Sequence, residues 1–257
     1  MFTREIELAL QAAKVAGEIA LAHQAKGLSP EIKPDDSPVT IADRESERLI
    51  AKALESAFPE DGVLGEEGSR KESRNGRRWI VDPIDGTRDF IRGLPLWCTM
   101  IALEENGEVK AGVVHFPPLN RTYWAARGGG AFRDGSRLQA SQVSSAASAV
   151  LSLNGLNKMN AQPMGGGILA WAEQFWSIRS LGGTLDAMLV AAGEADVWIE
   201  ASNVQPWDLA APQVILEEAS AVFMDFSGTR NVYSGHAAAC APALEPQLRA
   251  FLKTLTV

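Results

Sequence analysis

The chain predicts a mixed α/β fold, and three features carry that prediction. Residues 4 to 25 set Ile6, Leu10, Ala13, Ala16 and Ala20 at helical spacing, giving one apolar face. Asn106-Gly107 stands between two apolar runs at 98–104 and 109–115, a combination that favours a tight hairpin. From residue 141 onward, short apolar runs alternate with helical patterns, notably at 184–193 and 208–219.

In chain order, Gly27 ends the first helical pattern and "KPDDSP" reads as a polar loop. A second helix is expected from Thr40 to Phe58, with Leu49, Ile50, Ala53 and Leu54 on one face and Thr40 and Asp43 placed to form a capping box. "PEDG" breaks it, and Val63-Leu64 starts a short strand that runs into "GEEG". Trp79 to Val81 reads as a three-residue strand ending at Asp82. A strand at 121–126, after "PPLN", extends the hairpin into an antiparallel meander, and "GGGAFRDGSRL" adds a turn-rich stretch to that sheet. No linker composition separates the mixed α+β half at 1–140 from the α/β half at 141–257, so residues 1–257 read as a single domain.

The 257 residues are 46% hydrophobic, enough for a sizeable core. A net charge of −8 argues against general affinity for nucleic acid or anionic membrane. It leaves room for a small anion held through bound cations. No apolar run reaches the roughly 18 residues of a membrane span. The N-terminal "MFTREIELAL" lacks a basic segment followed by an apolar one, so a cytoplasmic protein is expected. Cys98 and Cys240, far apart, read as two reduced, packed thiols.

The chemistry lies in the acids. "WIVDPIDGTRDF" runs from an apolar strand into Asp82 and Asp85, while Glu66-Glu67 and Asp208 occupy similar element ends. Each has an ordinary reading: a turn residue for Asp85, a solvated pair for Glu66-Glu67, a first-turn helix acid for Asp208. Gathered together they would repel, by roughly 1 kcal/mol per pair at about 4 Å in water and about 4 at an effective dielectric of 20. Such a cluster calls for cations, and oxygen donors without nearby His or Cys select Mg²⁺, Mn²⁺ or Ca²⁺. His23, His115 and His236 are scattered singles with structural rather than ligand character.

"KPDDSPVTIAD", "GEEG", "WIVDPIDGT" and "PWDLAA" occur in that order, and across residues 33–240 the chain resembles the inositol monophosphatase superfamily of metal-dependent, lithium-sensitive phosphatases. The resemblance implies a layered α-β-α-β-α sandwich and two or three Mg²⁺ per active site, with Mn²⁺ as a substitute. It implies Glu66, Asp82 and the carbonyl of Ile84 as ligands of a first ion. Asp82, Asp85 and Asp208 would hold a second, and Asp43 would stand in the outer shell of a third that Glu66 touches. Glu66 and Thr87 would be catalytic, orienting the attacking water, and the N–H groups of Gly86 and Thr87 would hold the phosphate. Gly182, Gly183, Thr184 and Glu200 match the segment that contacts the alcohol portion of the substrate.

"DPIDGTRDF" and the Trp after "GLP" are most similar to the bacterial histidinol-phosphate phosphatase branch, which implies histidinol phosphate as substrate. Inositol 1-phosphate is the alternative, with a nucleotide 3′-phosphatase, a sugar bisphosphatase or an inactive binding homologue behind it. Three departures stand out. Thr184 occupies a position where that branch tends to carry an aspartate, leaving Asp186 as a possible replacement. Ser220-Ala221 replaces a glycine pair, a change expected to affect a turn rather than the metal site, and Glu200 stands eight residues before Asp208, about one more than usual. Arg88, which follows the Thr as in that branch, reads equally as a contact to an anion or a neighbouring subunit and as a solvated side chain. Trp97, Trp198 and Trp207 are expected in the core or an interface. The family also implies a homodimer.

Overall fold

A computed structural model describes residues 2–27, 29–33, 38–155, 167–201 and 203–255, which leaves most of the expected "KPDDSP" loop outside the description. Helix α1 (Thr3–Lys26) ends at Gly27 and buries Ile6, Ala9, Ala13, Ala16 and Ala20. Strands β1 (Glu31–Ile32) and β2 (Pro38–Val39) pair as a short antiparallel ribbon. Helix α2 (Ile41–Ala57) begins at the Thr40 cap, and the Thr40–Asp43 capping box closes as expected. Its buried stripe is Ala42, Asp43, Ser46, Glu47, Ile50, Ala51 and Leu54, so two acids lie on the inward face.

The first sheet contains β3 (Gly62–Gly65), β4 (Arg70–Lys71) and β5 (Arg77–Asp85); after β5 comes the short helix α3 (Thr87–Arg92). Strands β6 (Cys98–Glu105), β7 (Glu108–Phe116), β8 (Arg121–Ala126), β9 (Gly130–Arg133) and β10 (Ser136–Arg137) complete it. Among the described residues its order is β10-β9-β8-β7-β6-β5-β3-β4, antiparallel except for the β3–β5 pair. Asn106 and Gly107 both take positive φ, 52° and 79°, as a two-residue hairpin turn requires.

The second sheet orders its strands β12-β11-β13-β15-β14. Its chain path is β11 (Val150–Asn154), α4 (Ile168–Ala172), β12 (Ser177–Arg179), α5 (Gly183–Ala191), β13 (Val197–Glu200) and α6 (Pro206–Glu218). Then follow β14 (Val222–Met224), β15 (Ala237–Cys240) and α7 (Glu245–Leu252).

Alternation along the strands builds the layers. Trp79, Val81, Ile101 and Leu103 point to α1 and α2, whereas Ile80, Met100 and Ala102 point the other way, to α5 and α6. In the second sheet Trp198 and Ala239 join that central cluster, while Val197, Ile199 and Ala238 pack on Trp171, Leu248 and Phe251 of α4 and α7. The result is helix–sheet–helix–sheet–helix, the layered sandwich that the sequence motifs imply.

One expectation needs correction. The strand expected at 79–81 extends over nine residues and passes through Pro83. Its register shifts there: Asp82 pairs with Met100 and Asp85 with Cys98, so three steps on β5 face two on β6. This is a bulge, and a bulge is where a strand tolerates a proline that has no N–H for the ladder.

Candidate active site

The bulge has a chemical consequence. Residues three apart on a regular strand face opposite sides; the extra residue resets the alternation and turns Asp82 and Asp85 the same way. Asp208 arrives from the start of α6, and one carboxylate oxygen from each of the three lies within 4.8 Å of the others. Asp82 is buried. Burial first, and then Glu66, Asp85 and Asp208, push its carboxyl well above the usual carboxylate range. Burial likewise raises Asp85 to about 6 and lifts Asp208, with Asp85 the next cause for the latter. The ordinary reading of Asp208 also holds, because its Oδ2 accepts the N–H of Gln205, 2.5 Å away, and caps α6.

Glu66 follows directly on β3, and Lys33 bridges it to Glu67 at 2.9 and 2.5 Å. Beneath them sits Glu47 of α2, buried, its two oxygens accepting the N–H groups of Glu67 at 2.6 Å and Ser69 at 2.7 Å. Gly65 is needed for this grip, since a Cβ there would lie 2.5 Å from Glu47 Oε2. Asp43 Oδ2 accepts from the N–H and hydroxyl of Thr40, and its Oδ1 lies 3.4 Å from the Thr87 hydroxyl. The same hydroxyl is 3.2 Å from the carbonyl oxygen of Ile84, whose own N–H donates to Asp82 Oδ1 at 3.0 Å. Asp43, Thr87, Ile84 and Asp82 thus form one connected chain. Gly86, at φ 82°, caps α3 where a side chain would be strained.

A cleft of about 610 Å³ opens over these groups, lined on the other side by Asn154, Gly182, Gly183, Thr184, Trp198 and Glu200. Glu200 is buried and accepts from Asn154 Nδ2 at 2.6 Å. Gly183 keeps that pair accessible, because a Cβ there would lie 3.0 Å from Asn154 Nδ2. Thr184 is buried, its hydroxyl 3.5 Å from Met100 Sδ and close enough to Asp85 to favour that carboxylate's ionised form. Asp186 is no replacement for a cleft aspartate: it turns back to the N–H groups of Leu181 and Gly182, at 3.1 and 3.2 Å. Arg88 is exposed at the rim. Trp97 and Trp198 are buried as expected, and Trp198 and Trp207 also wall the cleft.

The profile of the inositol monophosphatase family matches residues 3–255. The chain belongs to the inositol monophosphatase family. It is similar to the histidinol-phosphatase of Chlorobaculum parvum, 39% identical over 91% of this chain and 90% of that one. It is similar to the histidinol-phosphatase of Mycobacterium tuberculosis, 40% identical over 91% and 92%. Among solved structures, a Thermotoga maritima IMPase superposes with a TM-score of 0.88 at 31% identity, covering 98% of each chain. As a member of this family the chain is a phosphatase, a phosphoric monoester hydrolase.

In this inositol monophosphatase homologue the donor set fits divalent cations. Asp82, Asp85, Asp208 and Glu66 are all hard oxygen donors, and among the described residues Lys33 is the cation bonded to the group, through Glu66 alone. The expected structural role of the histidines also holds: His23 pairs with Glu45, His115 with Thr122, and His236 accepts from Phe226 N–H. Sequence reasoning missed Glu47, Asn154, Cys98 and Asp89. An acid on the apolar face of α2 marked Glu47 in retrospect. Cys98, whose Sγ lies 3.7 Å from Asp85 Oδ2, and Asn154 carried no local signal. Among the described residues no helix is long and apolar enough to cross a membrane.

Proposed function

We propose that this phosphatase is a Mg²⁺-dependent phosphomonoesterase acting on a small-molecule ester, histidinol phosphate, with inositol 1-phosphate as the alternative. The observation that carries the reading is the convergence of Asp82, Asp85 and Asp208 beside Glu66 at the floor of a cleft. The histidinol-phosphatase relatives supply the choice of ester. Glu66, Asp82 and the Ile84 carbonyl would hold one ion, and Asp82, Asp85 and Asp208 a second, with Asp82 shared. Glu66 would touch a third, weaker ion with Asp43 in its outer shell; Mn²⁺ has the same donor preference. Bound there, the cations would neutralise phosphoryl and leaving-group charge and make a water acidic enough to attack at neutral pH.

The chain's own groups do the positioning. Thr87, anchored between Asp43 and the Ile84 carbonyl, and Glu66 orient the attacking water. The N–H groups of Gly86 and Thr87, which no preceding helical turn can satisfy, hold the phosphate. Gly182, Gly183, Thr184 and Glu200 face the alcohol portion. Such positioning and electrostatics dominate phosphoryl transfer, where side chains have little covalent work. A cytoplasmic homodimer inhibited by lithium accords with the reading. Leu169 of α4, Trp176 in the connection just before β12 and Ile178 of that edge strand, all exposed, offer an apolar surface for a second subunit.

The test is phosphate release from histidinol phosphate and inositol 1-phosphate, with Mg²⁺ and with a chelator. Release that needs Mg²⁺ and falls by about 10³-fold in Asp82→Asn, with the fold retained, is expected. Near-normal turnover of that variant at saturating Mg²⁺ would refute the assignment.

A further inference from the structure

Three helices around the cleft carry an aspartate at their third position, and one behaves differently. In α2 and α6 the carboxylate folds back on its own cap: Asp43 accepts from Thr40 N–H at 2.8 Å, and Asp208 from Gln205 N–H. Asp89 of α3 closes no such box with Gly86, and among the described residues its carboxylate has neither a hydrogen bond nor an ion pair. It turns instead toward Gly182, where an added Cβ would lie 3.7 Å from Asp89 Oδ2, and both residues line the cleft.

Gly86 is left-handed at φ 82°, unlike the extended caps of α2 and α6, so the capping box is closed to Asp89 and its carboxylate is left facing the cleft. Asp89 is half-buried. A carboxylate partly stripped of water and left unpaired is costly, and a cation placed in the cleft recovers that cost. The local charge points the same way. Beyond the four acids of the metal cluster, the lining still carries Asp89 and Glu200, against a single exposed Arg88. A neutral polyol could offer Asp89 only hydroxyl hydrogen bonds, whereas an ammonium or imidazolium also supplies the opposite charge.

We propose that Asp89 is a specificity-determining residue that accepts the positively charged group of an amino-alcohol phosphate. The proposal rests on the phosphatase reading above and names the substrate class of that site. The experiment compares kcat/KM for L-histidinol phosphate with that for inositol 1-phosphate at saturating Mg²⁺, in the native enzyme, Asp89→Asn and Asp89→Glu. In Asp89→Asn the ratio of the cationic to the neutral ester should fall about 10- to 100-fold, chiefly through KM, and Asp89→Glu should restore part of it. A merely structural role would lower both esters together and leave the ratio unchanged. An unchanged ratio in an enzyme that still turns over overturns this inference alone. Absence of Mg²⁺-dependent release from either ester in the native enzyme overturns the phosphatase reading, and this inference with it.

Discussion

Glu47 contributes through the backbone it holds. Its two oxygens satisfy the N–H groups of Glu67 and Ser69, fixing the loop that presents Glu66 to the cleft. Glu47→Ala would leave both amides without their partner inside a half-buried loop. A loss of about 1–3 kcal/mol in denaturant unfolding is expected. The Mg²⁺ concentration for half-maximal activity should also rise, because Glu66 would no longer be held in place. Unchanged Mg²⁺ dependence would reduce Glu47 to a purely structural acid. This role was partly legible: an acid four residues after Asp43 falls on the buried stripe of α2, where carboxylates are rare unless paired. Its partners were not legible, since they are main-chain groups twenty or more residues away.

Local chemistry set most of the elements correctly. The hairpin at Asn106-Gly107, the capping box at Thr40 and the stop at Gly27 follow from short-range sterics and hydrogen bonding, and each occurs as expected. The strand at Trp79 was underestimated because Pro83 reads as a terminator, and only the cross-strand register shows that a bulge absorbs it. The Ser220-Ala221 departure affects a turn, as expected. Ser220 sits just after α6 at φ 68°, the left-handed conformation that suits glycine at the end of a helix. Ser220→Gly should therefore stabilise the protein by about 0.5–1 kcal/mol, read as a higher Tm with unchanged Mg²⁺ dependence. A lower Tm would show that the serine side chain compensates its backbone strain.

At the scale of the whole molecule, the proposed metal site would couple stability to cations. Asp85, raised to about 6, and Asp82 and Asp208, also raised, are all costly when ionised together. A carboxyl whose folded pKa exceeds its unfolded value of about 3.9 favours the fold below that value, and the benefit is lost as pH rises through the folded pKa. Without divalent cations, the cluster's contribution to stability should therefore decline between pH 4 and pH 7. On the proposed reading Mg²⁺ would bind the ionised form, so the Tm gain it produces should be larger near pH 7.5 than near pH 5. At 100 times the dissociation constant that gain corresponds to about 2.7 kcal/mol. Thermal unfolding at both pH values, with and without Mg²⁺, checks this; an equal gain at the two would sink it.

Sequence alone determined the element types, the chemical identity of the acids and, through its ordered motifs, the family. These depend on spacing and residue type, which are local quantities. Tertiary structure decided which way each acid points. The bulge at Pro83 aligned Asp82 with Asp85, α6 brought Asp208 to them, and Asp89 turned from its own cap toward the cleft while Asp186 turned away. Orientation depends on cross-strand register and on packing between segments that need not be neighbours in the chain, and no local propensity encodes it.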